Sequence, residues 1–304
     1  MKLLIIGDLH LRYTPPINRT NEFYNDLLNK IKEIKQIQLD NNIEDENVIC
    51  LGDVFDNFVV DYAEKIIYDV GPYIKGWTFL IGNHDCKEEN GDTRGTTFGI
   101  LQKLNIIKVK QIITKDNHIL VFFNYYNRNQ IYKYDFNFKE IIDATKIAFI
   151  HDYIVPNKIA KKYNVEDIVT CENMKTDFDY IFCGHYHYSY DITHNNTRFI
   201  NPGALLRKTI DKDDMKRKVK VILYNSDSEE KIKDIYLKSC RNYKDVFKID
   251  ENDIIKKDLD SKFIQQLQDI KLYGNSFNDV INLLKTNKVD NNIINYIKDM
   301  ENKI

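Results

Sequence analysis

Five apolar runs without polar alternation, Leu3 to Gly7, Val48 to Gly52, Trp77 to Ile81, Lys146 to Ile150 and Tyr180 to Gly184, each hand the chain directly to a side chain able to bind a metal. A continuous apolar run of this length suits a strand covered on both faces rather than a half-solvated one. The first run delivers Asp8-Leu9-His10, the second Asp53, the third Gly82-Asn83-His84-Asp85, the fourth His151 and the fifth His185-Tyr186-His187. In an open α/β sheet, ligands collect beyond the carboxyl ends of the strands, so these five ends converge on one crevice. That expectation constrains the fold more than any average property of the chain.

The segments between the runs complete it. Phe23, Leu27, Ile31 and Ile34 recur at helical spacing within Asn21 to Asp40, and Tyr62 to Val70 reads as a second helix stopped by Gly71-Pro72. Alternating strand and helix in this way gives right-handed crossovers and a largely parallel sheet. Ile119 to Phe123 reads as another strand. Past His187, the runs Tyr188–Thr193, Arg198–Ile200, Val219–Tyr224 and Lys231–Leu237 have no helices between them, so they are expected to pair antiparallel as a second sheet on the first. Between these parts, Asn124 to Phe138 interleaves six aromatic residues with Arg128 and Lys133. It reads as a hairpin packed on the body, with stacking of single-stranded bases as the alternative.

Spacing within the motifs points to metal chemistry. Asp8 and His10, like His185 and His187, are two residues apart and so share a face of an extended segment. Five of the seven histidines fall at the predicted strand ends; His118 and His194 do not and read as surface residues. Asp, His and Asn donors suit Mn, Fe, Zn or Ni, and so many positions call for two ions sharing one carboxylate, a pair that clamps in-line attack on phosphorus.

The set Asp8-x-His10, Gly52-Asp53-x-x-Asp56, Gly82-Asn83-His84-Asp85, His151 and Gly184-His185-x-His187 resembles, in order, the signature of the calcineurin-like metallophosphoesterases. Within that superfamily, Gly7-Asp8-Leu9-His10, Gly52-Asp53-Val54-Phe55-Asp56 and the turn Asn201-Pro202-Gly203-Ala204 are most similar to the SbcD and meiotic-recombination-eleven DNA repair nucleases. The resemblance implies a four-layer α/β/β/α sandwich with a small C-terminal helical appendage. It also implies two divalent ions, with Mn expected and Fe, Zn or Ni as alternatives, and exonuclease and endonuclease activity on DNA ends beside an SbcC-like coiled-coil ATPase. By the same resemblance Asp8, His10, Asp53 and His187 hold one ion, and Asp53, Asn83, His151 and His185 the other. His84 then donates a proton to the leaving oxygen, with Asp85 holding its ring.

A phosphatase or small-molecule phosphodiesterase of the same fold is the alternative function. Against it, protein phosphatases of this fold carry Arg-Gly where this chain has Asn57-Phe58, and the lipid-pathway pyrophosphatases carry Arg where it has His84. A scaffold without activity has no need of so full a donor set.

Composition bounds the rest. The 304 residues allow a catalytic domain over residues 1–240 and a short helical region over 241–304. Stripes at Phe263, Leu267 and Ile270, at Phe277, Val280, Ile281 and Leu284, and at Ile293, Ile294 and Ile297 mark three short helices there, expected to pack on the body or on the ATPase. A net charge of −2 gives little bulk attraction to DNA, so a polyanion must be gripped by a local patch or by metal ions. The five cysteines form no Cys-x-x-Cys pair and no apolar run reaches a membrane span, which together with the absence of a leader predicts a cytoplasmic chain away from membranes. A homodimer is open.

Overall fold

The computed structural model describes residues 1–88, 90–133, 143–163, 169–207 and 212–248. The aromatic positions 134–138 and the expected helices over 261–304 lie outside these.

The first sheet grows from β1 (Lys2–Ile6), crosses through α1 (Phe23–Asp40) to β2 (Val48–Cys50), and crosses again through α2 (Ala63–Ile74) to β3 (Thr78–Phe79). All three strands run parallel, with Leu4 opposite Val48 and Cys50 opposite Phe79. Because side chains alternate across a strand, Leu4 and Ile6 join the helix-covered core with Phe23, Leu27, Ile31 and Ile34, while Leu3 and Ile5 face a second sheet. Helix α2 does not stop at Gly71-Pro72 but runs on to Ile74. Ile74 extends the buried stripe of Ile66 and Val70, and the carbonyl that loses a partner to Pro72 belongs to Tyr68, a residue on the solvent face.

After α3 (Thr97–Lys103), capped by the Thr96 hydroxyl, the chain forms β4 (Ile112–Lys115), β5 (His118–Phe123) and β6 (Thr145–His151). A small pair, β7 (Ile154–Val155) and β8 (Val169–Thr170), flanks α4 (Asn157–Tyr163) before β9 (Tyr180–Gly184), β10 (Tyr190–His194) and β11 (Thr197–Asn201). The second sheet has the order β10-β11-β9-β6-β5-β4. Its four central strands are mutually parallel and only the two edges are antiparallel. Between the sheets lies a continuous apolar layer in which Phe122, Phe149 and Phe182 stack at 5.0 and 5.4 Å. A third core, beneath α4 and Tyr186, covers the outer face of the second sheet. The result is a four-layer α/β/β/α sandwich.

Expectations about the last strands, His118 and the aromatic stretch change. After α5 (Lys212–Lys216), β12 (Lys220–Asn225) and β13 (Ile232–Tyr236) join the first sheet, not the second, with Leu3 opposite Tyr224 in an antiparallel ladder. The free edge of β1 is the available partner, and there Ile222 and Tyr224 complete the inter-sheet layer; burying two such side chains contributes about 4 kcal/mol, enough to select the edge. His118, expected at the surface, is buried, its Nε2 2.9 Å from the Tyr224 hydroxyl in the opposite sheet and its Nδ1 2.6 Å from the Asp116 carbonyl. The aromatic stretch is not a hairpin where it is described: Tyr125–Lys133 forms turns of 3₁₀ helix.

The compact unit extends through residues 241–248. Helix α6 (Tyr243–Val246) is laced to the N-terminal loop by Thr20 N–H to the Val246 carbonyl and Lys248 N–H to the Asn18 carbonyl. Among the described residues no helix is long and apolar enough to cross a membrane.

Candidate active site

The predicted strand ends do meet. The loop after β1 is tied to the loop after β2 by Leu9 and His10 N–H groups on the Asp53 carbonyl, at 3.1 and 2.9 Å, and by Leu11 N–H on Val54. His185 N–H reaches both Asp8 carboxylate oxygens at 3.1 Å, which joins the first sheet to the second. Side chains pack so tightly over these turns that two glycines are obligatory. A Cβ on Gly52, whose φ is +109°, would sit 2.4 Å from His151 Nδ1, and one on Gly82 would sit 2.1 Å from Asp53 Oδ1. His10, Asp53 and His185 themselves occupy the left-handed region, at φ of 49°, 45° and 81°. Each such residue costs roughly 1–3 kcal/mol and persists because the surrounding hydrogen bonds over-determine it.

Donor atoms fall into three overlapping groups among the described residues, two of which include Asp53. Asp8, His10 and His187 offer atoms within 4.8 Å of one another, as do Asp53, His151 and His185, and as do His10, Asp53 and His84. Asp53 Oδ2 lies 3.9 Å from His10 Nε2, while Asp53 Oδ1 lies 3.3 Å from His151 Nε2. Asn83 joins the second group through its Oδ1, 3.1 Å from the same His151 nitrogen. Backbone carbonyls settle the tautomer of one ligand. His151 Nδ1 is 2.7 Å from the Leu51 carbonyl, which only accepts, so Nδ1 carries a proton and Nε2 is the nitrogen that faces the two oxygens. In the first group His10 Nε2 and His187 Nε2 stand 2.9 Å apart, where two lone pairs cannot face each other without a proton or a cation between.

The electrostatics ask for the same thing. Burial works against a charged His151, but Asp53 and Asp8 override it and raise the imidazole to about 10. Burial would raise Asp53 as well, yet His151, His10 and His84 hold it far below the usual carboxylate range. Asp8 rises, through burial and then the neighbouring Asp53 charge. His185 is driven down to about 3 by burial and by His151, so it is a neutral imidazole, and its buried Nδ1 has no hydrogen-bond partner among the described residues. A pocket that forces protons onto one ligand and leaves another's nitrogen unmatched fits divalent cations.

His84 sits at the mouth, its side chain 34% exposed. Its Nδ1 lies 2.6 Å from the Asp56 carbonyl, so Nδ1 carries a proton and Nε2, 3.9 Å from Asp53 Oδ2, faces the cleft. Asp85 does not hold this ring. Its fully buried carboxylate accepts from three backbone N–H groups, Val54 at 3.0 and 3.2 Å, Phe55 at 3.2 Å and Gly82 at 2.9 Å, and so staples the β2 loop to the β3 loop. A short acidic side chain with buried amides around it satisfies those before it reaches a neighbour's ring.

Three further residues support the site, and two of them, Asn124 and Tyr125, lie outside the motifs. Asp56, beyond supplying its carbonyl to His84, sets Oδ1 3.6 Å from His10 Nδ1 and accepts from Arg12 at 2.8 Å. Asn124, at the end of β5, accepts from Ile81 N–H at 2.8 Å and so shapes the turn that carries Asn83; its position after an apolar run was the available signal. Tyr125 presents its ring to His151 and His185 at 6.3 and 6.5 Å, with the Arg128 guanidinium over the ring at 3.9 Å from its centroid.

A family model for the calcineurin-like phosphoesterase superfamily domain matches residues 1–216. The chain belongs to that superfamily. It is a metal-dependent phosphoesterase, and the donor groups around Asp53 are where such a calcineurin-like enzyme could seat its ions. Among solved structures it is similar to an archaeal phosphodiesterase (14% identity, 78% of this chain and 100% of that one, TM-score 0.40). It is also similar to a putative 5′-nucleotidase from Staphylococcus aureus (16%, 83% and 56%, 0.44) and to Vps29 from Chaetomium thermophilum (12%, 78% and 97%, 0.32). No curated protein sequence matches it.

Proposed function

We propose that this calcineurin-like phosphoesterase is a dinuclear-metal phosphodiesterase that cleaves DNA. The observation that carries the dinuclear part is Asp53, whose two oxygens face separate donor groups, Oδ2 toward His10 and Oδ1 toward His151. Asp8, His10, Asp53 and His187 would hold one ion and Asp53, Asn83, His151 and His185 the other. Bound there, two divalent ions supply Lewis acidity toward a phosphoryl oxygen and an activated water.

The chain's own part is proton delivery and geometry. The Asp56 carbonyl fixes the His84 ring so that, as imidazolium, it presents the Nε2 proton to the departing oxygen. Asp85 acts one step removed, by holding the two loops that carry Asp53 and His84 in register.

The choice of DNA is supported by the Gly52-Asp53-Val54-Phe55-Asp56 motif, by Asn57-Phe58 in place of Arg-Gly, and by His84 in place of Arg. On the same resemblance, Mn is the working metal and an SbcC-like coiled-coil ATPase the partner, engaged through residues 241–304. The test is purified protein with Mn, offered linear single- and double-stranded DNA beside bis(p-nitrophenyl) phosphate and p-nitrophenyl phosphate. Cleavage of DNA and of the diester is expected. Turnover of the monoester alone would overturn the proposal in favour of a phosphatase.

A further inference from the structure

Away from the metal ligands, a cavity of about 440 Å³ opens beside β12 and β13. Arg207, Lys216, Arg217, Lys218 and Arg241 line it, with no carboxylate among the described lining residues. On a chain whose net charge is −2, such a concentration of one sign is a local feature, not a reflection of composition. The arginines are pinned. Arg207 donates to the Met215 carbonyl at 3.2 Å, to Cys240 Sγ at 2.8 Å and to the Arg241 carbonyl, all neutral acceptors. Arg217 pairs with Asp214 at 3.0 Å and ties down the Ala204 and Leu206 carbonyls. Behind this wall Asp26 serves two guanidiniums at once, Arg19 at 3.5 Å and Arg241 at 3.2 Å. Lys30, nearly fully buried, adds a further cation, and burial together with Arg19 and Arg207 pushes its ammonium down to about 8. At the rim Lys216 and Lys218 are exposed and form no ion pair among the described residues. Tyr236, 52% exposed, offers its ring beside Lys218, and Tyr243 lines the same cavity.

The cavity lies at the metal-ligand end of the first sheet. Strand β12 runs antiparallel to β1, so its first residues stand beside the carboxyl end of β1, from which Asp8 and His10 emerge. Leu205 N–H bonds the Asp8 carbonyl at 2.8 Å, and Arg207 follows two residues later, within about 7 Å along the chain. A positively charged groove combined with exposed aromatic rings is how single strands are gripped without regard to sequence: phosphates on the cations, bases on the rings.

We propose that this basic cavity is a second binding site for a single-stranded nucleic acid whose scissile phosphate lies at the Asp53 centre, holding the strand a few nucleotides away. The proposal rests on the nuclease reading above and adds the path of the strand.

The test compares full-length protein with a Lys216→Ala/Lys218→Ala variant, both exposed positions whose replacement removes no buried side chain. A control, Lys75→Ala/Lys103→Ala, removes the same charge elsewhere on the surface. Binding of a fluorescent thymidine oligonucleotide of about twelve residues is followed by anisotropy over a salt series. The cavity variant should bind about tenfold more weakly, with a log–log salt slope shallower by about 1.4, roughly 0.7 for each phosphate no longer neutralised. Its kcat/KM for the oligonucleotide should fall by the same factor relative to that for bis(p-nitrophenyl) phosphate, and its preference for the oligonucleotide over thymidine dinucleotide should vanish. The control should match wild type in slope and preference. Equal losses in control and cavity variants, or an unchanged slope in the cavity variant while the wild type cuts DNA, overturn the cavity alone. Turnover of the small diester with no binding or cleavage of any oligonucleotide overturns the nuclease reading and the cavity together.

Discussion

Replacing Asp85 by Asn separates a brace from a catalytic partner. Burial and the Asp53 charge push this carboxyl above the usual range while its backbone donors hold it back. With an N–H on each oxygen there is no acceptor left for a carboxyl proton, so the geometry suits the ionised form. Asparagine keeps one acceptor oxygen and turns an NH₂ on the donors at the other. At least one buried N–H then loses its partner, at about 1–3 kcal/mol, and the remaining bonds lose their charge assistance. The cost comes to about 3–4 kcal/mol, and at about 2–4 °C per kcal/mol the melting temperature should fall by roughly 6–16 °C. Melting by circular dichroism, with metal content by elemental analysis, measures it; weaker metal retention should accompany the lower stability, because Asp53 rides on the stapled loop. A variant melting within about 2 °C of wild type but with turnover reduced 100-fold or more would refute the brace and return Asp85 to the chemistry of His84.

Three further outcomes follow from the same geometry. His84→Ala should lower kcat by about 10²- to 10⁴-fold while leaving metal stoichiometry and melting temperature near wild type, since the ring is a third exposed and contributes little buried packing. Asp53→Ala should lose both ions rather than one, read by elemental analysis after dialysis; two ions at full occupancy would contradict the shared carboxylate. Lys30→Met should stabilise the protein at neutral pH by up to about 3 kcal/mol, because burial above all depresses its ammonium from 10.5 to about 8. Between those two values the unfolded chain binds more protons than the folded one, so wild-type stability should gain from this group as pH rises from 8 towards 10.5, and denaturant titrations should show that gain absent in the variant.

The donor residues were legible because their signal is local: an unalternating apolar run, a turn, then Asp, His or Asn. Asp8, His10, Asp53, Asn83, His151, His185 and His187 all arrive at one cleft by that rule. What was not legible depends on partners remote in sequence. Nothing near Lys220–Asn225 says that its ladder partner is β1, and nothing near His118 announces the Tyr224 hydroxyl in the other sheet. Pro72 read as a stop because propensity is local, whereas the burial of Ile74 that carries α2 past it is tertiary. Asp85 was misread for the opposite reason. Its neighbour in sequence, His84, was the visible partner, while the amides of Val54 and Phe55 that claim its oxygens come from another loop.

The pairing of β1 with β12 also sets a timetable for the nascent chain. Leu3 leaves the ribosome early but waits for Tyr224 before its outer edge is closed, and Asp8 waits for the His185 amide that grips its carboxylate. Pairings of such long range are entropically expensive and form late, and until they do the β1 edge stands open to wrong partners. The metal-binding cleft therefore cannot mature on the N-terminal segment alone.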